Sequence, residues 1–188
     1  TRISGQVSSQ YLSALMMVAP YAKSEFTIQV IDELNSKPYV DMTERVMADF
    51  GVHLRRDEYK SFTITPGMYN ARADYVVEAD ASAASYFFAL PAVTGGSVTV
   101  QDIHTNSIQG DIQFLEILQQ MGLQVSETAE GITVTNPGVQ ICGIDIDMAH
   151  IPDTAQTLAA IAPFASGPTR IRGIASARVK DCLLYTSP

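Results

Sequence analysis

TERVMADFGV, residues 43–52, and FLEILQQMGL, residues 114–123, decide the fold. In the first, Thr43, Val46, Met47 and Phe50 stand at i, i+3, i+4 and i+7, and in the second Phe114, Ile117, Leu118 and Met121 take the same four places. That spacing puts one stripe on one face of a helix. Gly51 and Gly122 follow where a glycine ends a helix, and the two segments lie 71 residues apart. The chain therefore contains an internal repeat.

The repeat extends in both directions. Pro20, Pro91 and Pro163 each follow an apolar helical run, at spacings of 71 and 72 residues. β-rich stretches follow each proline: Phe26 to Val30, Val98 to Val100 and Thr169 to Arg172. Asn35-Ser36 recurs as Asn106-Ser107. Beyond the second helices the pattern predicts paired strands, Val52 to Arg55 with Phe62 to Thr65 and Leu123 to Ser126 with Ile132 to Thr135. Each copy reads helix, strand, helix, strand, strand, and the third stops after its first strand. Helices alternating with strands predict an α/β fold, a mixed sheet backed by helices. The extended apolar run Asp74 to Asp80 opens the second copy and suits a junction between two bodies.

Composition supports a packed protein. Of the 188 residues 46% are hydrophobic and 17% charged, enough apolar material for a core without disulfides or metals. The balance of 12 Lys and Arg against 20 Asp and Glu gives a net charge of −8, which speaks against a general nucleic-acid binder. The longest apolar stretch, Tyr11 to Ala22, is shorter than the roughly 20 residues a bilayer requires, and it contains Pro20. No basic segment precedes an apolar one in the manner of a secretory signal. Cys142 and Cys182 lack metal-ligand spacing, as do His53, His104 and His150, so a reduced, cytoplasmic setting is expected. The chain opens on Thr1 rather than Met, as a fragment or a processed product would.

Few residues offer chemistry. Ser8-Ser9-Gln10 starts a helix, and a serine there accepts a bond from an exposed backbone N–H. The same end suits a phosphate or carboxylate, since unpaired N–H groups and the helix dipole point outward. Capping alone explains the serines, and the two readings stay open at this point. Ser36-Lys37-Pro38 repeats the theme, with Pro38 suited to a first helical turn. Pro152 and Asp153 open a further helix, where Asp153 complements the dipole or serves as a base toward a bound hydroxyl. Ala73 to Thr169 contains no Lys or Arg, after which Arg170, Arg172, Arg178 and Lys180 cluster. That cluster reads as an anion pocket or as a solvated strand face.

Five segments carry a family resemblance: Ser4 to Leu12 (SGQVSSQYL), Ser36 to Asp41 (SKPYVD), Glu78 to Phe87 (EADASAASYF), Ser107 to Asp111 (SIQGD) and Ile151 to Asp153 (IPD). In order and content they resemble the 5-enolpyruvylshikimate-3-phosphate (EPSP) synthases. The resemblance runs from about residue 4 to about residue 181, less than half of a whole member. It implies a two-domain enolpyruvyl transferase, an inverse α/β barrel-like architecture of repeated βαβαββ units, here incomplete. Residues 1–77 would belong to one domain and 78–181 to the other, with substrate in the cleft between them.

The resemblance further implies transfer of the enolpyruvyl group of phosphoenolpyruvate to the 5-hydroxyl of shikimate 3-phosphate, releasing phosphate. It implies no metal, no organic cofactor, no nucleic acid, no membrane, and a monomer when full length. Ser8, Ser9 and Ser36 would bind the shikimate phosphate, and Gln10 would sit between the substrates. Asp153 would accept the hydroxyl proton, Lys180 would contact shikimate 3-phosphate, and Asp181 would replace a catalytic glutamate. Ser176 stands where the family binds ligand through asparagine, and Leu184 stands in place of an arginine. Residues 182–188 depart from the family and read as a sequence artefact. Such a fragment is expected to be inactive alone. The alternatives are the enolpyruvyl transferase acting on UDP-N-acetylglucosamine, which lacks the serine pair of motifs, and a non-catalytic repeat scaffold.

Overall fold

The computed structural model describes residues 1–6 and 8–175 and divides them into two compact units, Thr1–Val76 and a second that begins at Val77. The first unit runs β1 (Arg2–Ile3), α1 (Ser9–Val18), β2 (Phe26–Val30), α2 (Lys37–Asp49), β3 (Leu54–Asp57) and β4 (Ser61–Ile64). Its strands form one sheet in the order β1-β2-β4-β3, with β1 and β2 parallel and the remaining pairs antiparallel. Alternate residues of the central strands, Ile28 with Val30 and Phe62 with Ile64, turn inward onto Leu12 and Met16 of α1 and Val40 and Met47 of α2.

The second unit continues with α3 (Ala81–Thr94), β5 (Gly96–Gln101), α4 (Phe114–Gln120), β6 (Gln124–Thr128), β7 (Gly131–Asn136), β8 (Asp145–Asp147), α5 (Ala155–Ile161) and β9 (Arg170–Arg172). Here β5-β7-β6 form an antiparallel sheet, and β8 and β9 a separate parallel pair. Ala84, Phe88 and Ala92 of α3, spaced four apart, pack in one cluster with Phe114 and Leu118 of α4, Ile132 and Val134 of β7 and Leu158 of α5.

The repeat is present in the pairing itself. Phe26 faces Ile64 across β2 and β4, and 71 residues on Ser97 faces Thr135 across β5 and β7. Both second helices end in the same Schellman turn. Gly51 donates to the Ala48 carbonyl and Val52 to that of Met47, as Gly122 does to Gln119 and Leu123 to Leu118. Gly51 and Gly122 have φ of 82° and 104°, the left-handed region that favours glycine.

The structure amends several expectations. The first and third repeats open on a strand that local patterning missed: β1–α1–β2 and β8–α5–β9 are parallel strand–helix–strand units, so the third copy begins at β8. Residues 74–80 supply no equivalent strand to the second copy, and Val76 and Val77 are 90% and 80% exposed. Pro91 lies inside its helix, which continues to Thr94, with Ala89 and Ala92 on either side of it in the core. The two matched stripes also differ. All four residues of the second are buried, but of the first only Met47 is. On α2, Val40 and Met47 face the core of the unit, and Thr43, Val46 and Phe50 line an apolar groove with Met17 and Tyr69.

Candidate functional site

The segment that follows β1 runs close against the end of β2. Ile31 donates its backbone N–H to Ile3, and Ser4 donates its hydroxyl to the Asp32 carboxylate at 2.7 Å. Gly5 permits this approach: a Cβ there would lie 2.8 Å from the Cα of Leu34 and 2.9 Å from the Glu33 carbonyl. Asn35 completes the strap. Its backbone N–H bonds the Gly5 carbonyl at 3.1 Å and its side-chain amide the Gln6 carbonyl at 2.9 Å.

Two helices begin at the ends of this strap. Ser8 is the N-cap of α1 and accepts from the Gln10 backbone N–H at 3.2 Å, Ser9 is buried, and Gln10 is exposed. The capping role read for Ser8 is therefore real. Ser36 behaves differently. It holds the N-cap position of α2 with φ 56° and ψ 46°, and its side chain makes no capping bond. A non-glycine residue in that region costs about 1–3 kcal/mol, which the neighbouring bonds must offset. Pro38 lies in the first turn, as expected. Neither α1 nor α2 carries an acidic residue in its first turn, so both N-termini keep their positive field.

The second repeat contains the same strap in different chemistry. Ser107, the counterpart of Ser36, donates to Glu78 at 2.6 Å, and Gln109 donates to the Ala79 carbonyl at 2.7 Å. Asp80, not a serine, caps α3 and accepts from the N–H groups of Ser82 and Ala83. Carboxylates of the chain itself thus occupy the helix start in the second repeat, whereas the first repeat places neutral serines there.

Lys37, at the first position of α2, lies 3.8 Å from Glu33 and its ammonium 5.4 Å from the centre of the Tyr59 ring. Tyr59 donates its hydroxyl to Asp41 at 2.7 Å, and Arg56 bonds the same carboxylate. Burial first, and then the bond to Asp41, hold the Tyr59 phenol above its ordinary range. The bond to Asp41 likewise raises Arg56, which stays charged.

In the second unit Asp153 is half-buried in a 3₁₀ turn, Pro152–Thr154, that leads into α5, and Thr154 closes the turn on the Ile151 carbonyl at 3.0 Å. The dipole-facing position read from sequence is present. Arg170 and Arg172 are exposed and share Asp145, the latter at 2.7 Å, so these two form a solvated strand face and not a pocket. Ser176, Arg178, Lys180 and Asp181 lie outside the described residues. Of the predicted site residues, Ser8, Ser9, Gln10 and Ser36 lie in the first unit, where Asn35 ties the segment before Ser8 to the residue before Ser36, and Asp153 belongs to the other unit. Sequence reasoning missed Gly5 and Asn35; the recurrence of Asn-Ser was the available signal for the latter. Among the described residues no three His, Cys, Asp or Glu gather to hold a metal, and no helix is long and apolar enough to cross a membrane.

A family model described as EPSP synthase (3-phosphoshikimate 1-carboxyvinyltransferase) matches residues 1–182. The 3-phosphoshikimate 1-carboxyvinyltransferase of Vibrio atlanticus is 46% identical over 180 residues, which are 95% of this chain and 42% of that protein. The chloroplastic 3-phosphoshikimate 1-carboxyvinyltransferase of Arabidopsis thaliana is 46% identical over 188 residues, 96% of this chain and 36% of the relative. The chain thus spans about two fifths of the length of these relatives. EPSP synthase from Acinetobacter baumannii superposes with a TM-score of 0.72 at 22% identity, over 96% of this chain and 42% of that one. The enolpyruvyl transferase NikO from Streptomyces tendae follows at 0.63 and 16%, over 91% and 43%. These two structures establish the likeness of fold.

Proposed function

From the membership of this chain in the EPSP synthase family, we propose that it is part of an enzyme that moves the enolpyruvyl group of phosphoenolpyruvate to the 5-hydroxyl of shikimate 3-phosphate. The observation that carries the reading is the pair of acid-free helix starts, Ser8-Ser9 and Ser36, tied together by one strap. Exposed N–H groups, the helix dipoles and serine hydroxyls suit a phosphoryl group, and Ser8, Ser9 and Ser36 hold it in this reading. Gln10 projects from the first turn of α1 to lie between the two substrates.

In the reaction the hydroxyl oxygen replaces phosphate on the enol carbon, so its proton must leave. Asp153 accepts it, and Lys180 and Asp181 act near the reacting centre, with Ser176 on the ligand. No metal or organic cofactor is called for. Residues 1–77 and 78–181 belong to the two domains of a monomeric, cytoplasmic enzyme, and the present chain, spanning two fifths of it, does not turn over alone.

Titration of the ¹⁵N-labelled chain with shikimate 3-phosphate and with UDP-N-acetylglucosamine tests the reading. Saturable shifts of the Ser9, Gln10 and Lys37 amides with the former alone are expected. A response to the UDP-sugar in its place, or to neither, would reject it.

A further inference from the structure

We infer that Asn35 is a positioning residue for the phosphate site: through a neutral amide it ties the segment leading to Ser8 to the start of α2 at Ser36. The inference rests on the reading of that site given above. Two bonds from one residue, backbone N–H to Gly5 and side-chain amide to Gln6, bridge segments nearly thirty residues apart. Asn35 directly precedes Ser36, whose left-handed backbone the strap helps to hold. Gly5 shows how close the contact is, since a Cβ there would meet the backbone of Leu34 and Glu33.

The second repeat provides an internal comparison. There the matching contact is made by Ser107 and Gln109 to Glu78 and Ala79, and acids occupy the α3 start. The strap is thus a repeated device, and in its first copy the two bonds of Asn35 run between uncharged groups, while Ser4 meets the Asp32 carboxylate. An amide at position 35 supplies a donor to the Gln6 carbonyl without adding charge beside two helix ends meant for an anion. Of the two acids shortly before it in the chain, Asp32 accepts from Ser4 and Glu33 pairs with Lys37.

The test uses the 188-residue chain, with shikimate 3-phosphate as ligand and amide shifts and hydrogen exchange as readouts. Asn35→Ala is expected to weaken binding about tenfold, the scale of one lost hydrogen bond, and to speed exchange at Gln6 and Ser8. Asn35→Asp is expected to weaken it further, and the extra loss should shrink as salt is raised, because it arises from charge beside the ligand. Ser4→Ala, which cuts the same strap at its far end, should cost less than about threefold. Equal losses in Asn35→Ala and Ser4→Ala, or an Asn35→Asp penalty that ignores salt, would make Asn35 an ordinary structural residue and overturn the inference. A wild-type chain that gives no response to shikimate 3-phosphate rejects the site itself, and with it the role of Asn35.

Discussion

The hydroxyl of Ser82 donates to the carboxylate of Asp111 at 2.5 Å, and Asp111 is only 3% exposed. This contact joins the first turn of α3 to the 3₁₀ turn Gly110–Gln113 that leads into α4. Two sequence motifs with no assigned chemistry are thereby locked together. A buried carboxylate depends on each of its donors, so Ser82→Ala should destabilise the second unit by about 1–3 kcal/mol. Denaturant unfolding with residue-resolved hydrogen exchange measures it. Unchanged protection of α3 and α4 would show that Asp111 does not depend on Ser82.

Tyr59 makes the first unit sensitive to high pH. Its phenol is held above the ordinary range by burial and by the bond to Asp41. A raised folded value means that the fold prefers the protonated phenol. The stability it brings is therefore fully present below about pH 10 and is lost as pH climbs through the folded value. Tyr59→Phe should cost about 1 kcal/mol near neutrality. The gap between the two proteins should then narrow above about pH 10. A gap that stays constant into strong alkali would mean that the hydroxyl is not coupled to Asp41.

The repeat was legible because its signals are local. Helix stripes and terminal glycines act within two turns, and the Schellman bonds of Gly51 and Gly122 join residues three to five apart. β1 and β8 were not legible. They contain two and three residues, and each exists only by pairing with a strand on the far side of a helix. The stripe of α2 misled for a related reason. Its period gave a helix, but the sheet it packs on selected Val40 and Met47 as the inward face. At the site, the Ser8 cap could be read from neighbouring residues, whereas Asn35 acts on a carbonyl 29 positions away.

The first helix of each unit leaves apolar side chains in solvent: Tyr11, Met17 and Val18 on α1, and Tyr86, Phe87, Leu90 and Val93 on α3. Clusters of this kind bind apolar dyes. Anilinonaphthalene sulfonate should fluoresce with the native chain, and Met17→Lys together with Phe87→Lys should remove most of the signal without lowering the melting temperature. A dark wild-type chain would show that these faces are covered in solution.

Asp153 permits the sharpest separation of chemistry from structure. It follows Pro152 in a half-buried turn at the start of α5, where a carboxylate both complements the helix end and can take a proton. The measurement requires the uninterrupted enzyme that carries this segment. If Asp153 accepts the 5-hydroxyl proton, Asp153→Asn keeps the shape and removes the base. Turnover should then fall by about 10²–10⁴-fold, the scale of a positioned general base. Shikimate 3-phosphate should still bind within about tenfold of wild type, because the helix starts proposed to hold its phosphate are untouched. If Asp153 only completes the helix start, the rate should hardly change and the cost should appear as up to about 1 kcal/mol of stability. Kinetics, calorimetric binding and a melt on the same variant distinguish the two, and near-normal turnover with a lowered melting temperature would reject the catalytic assignment.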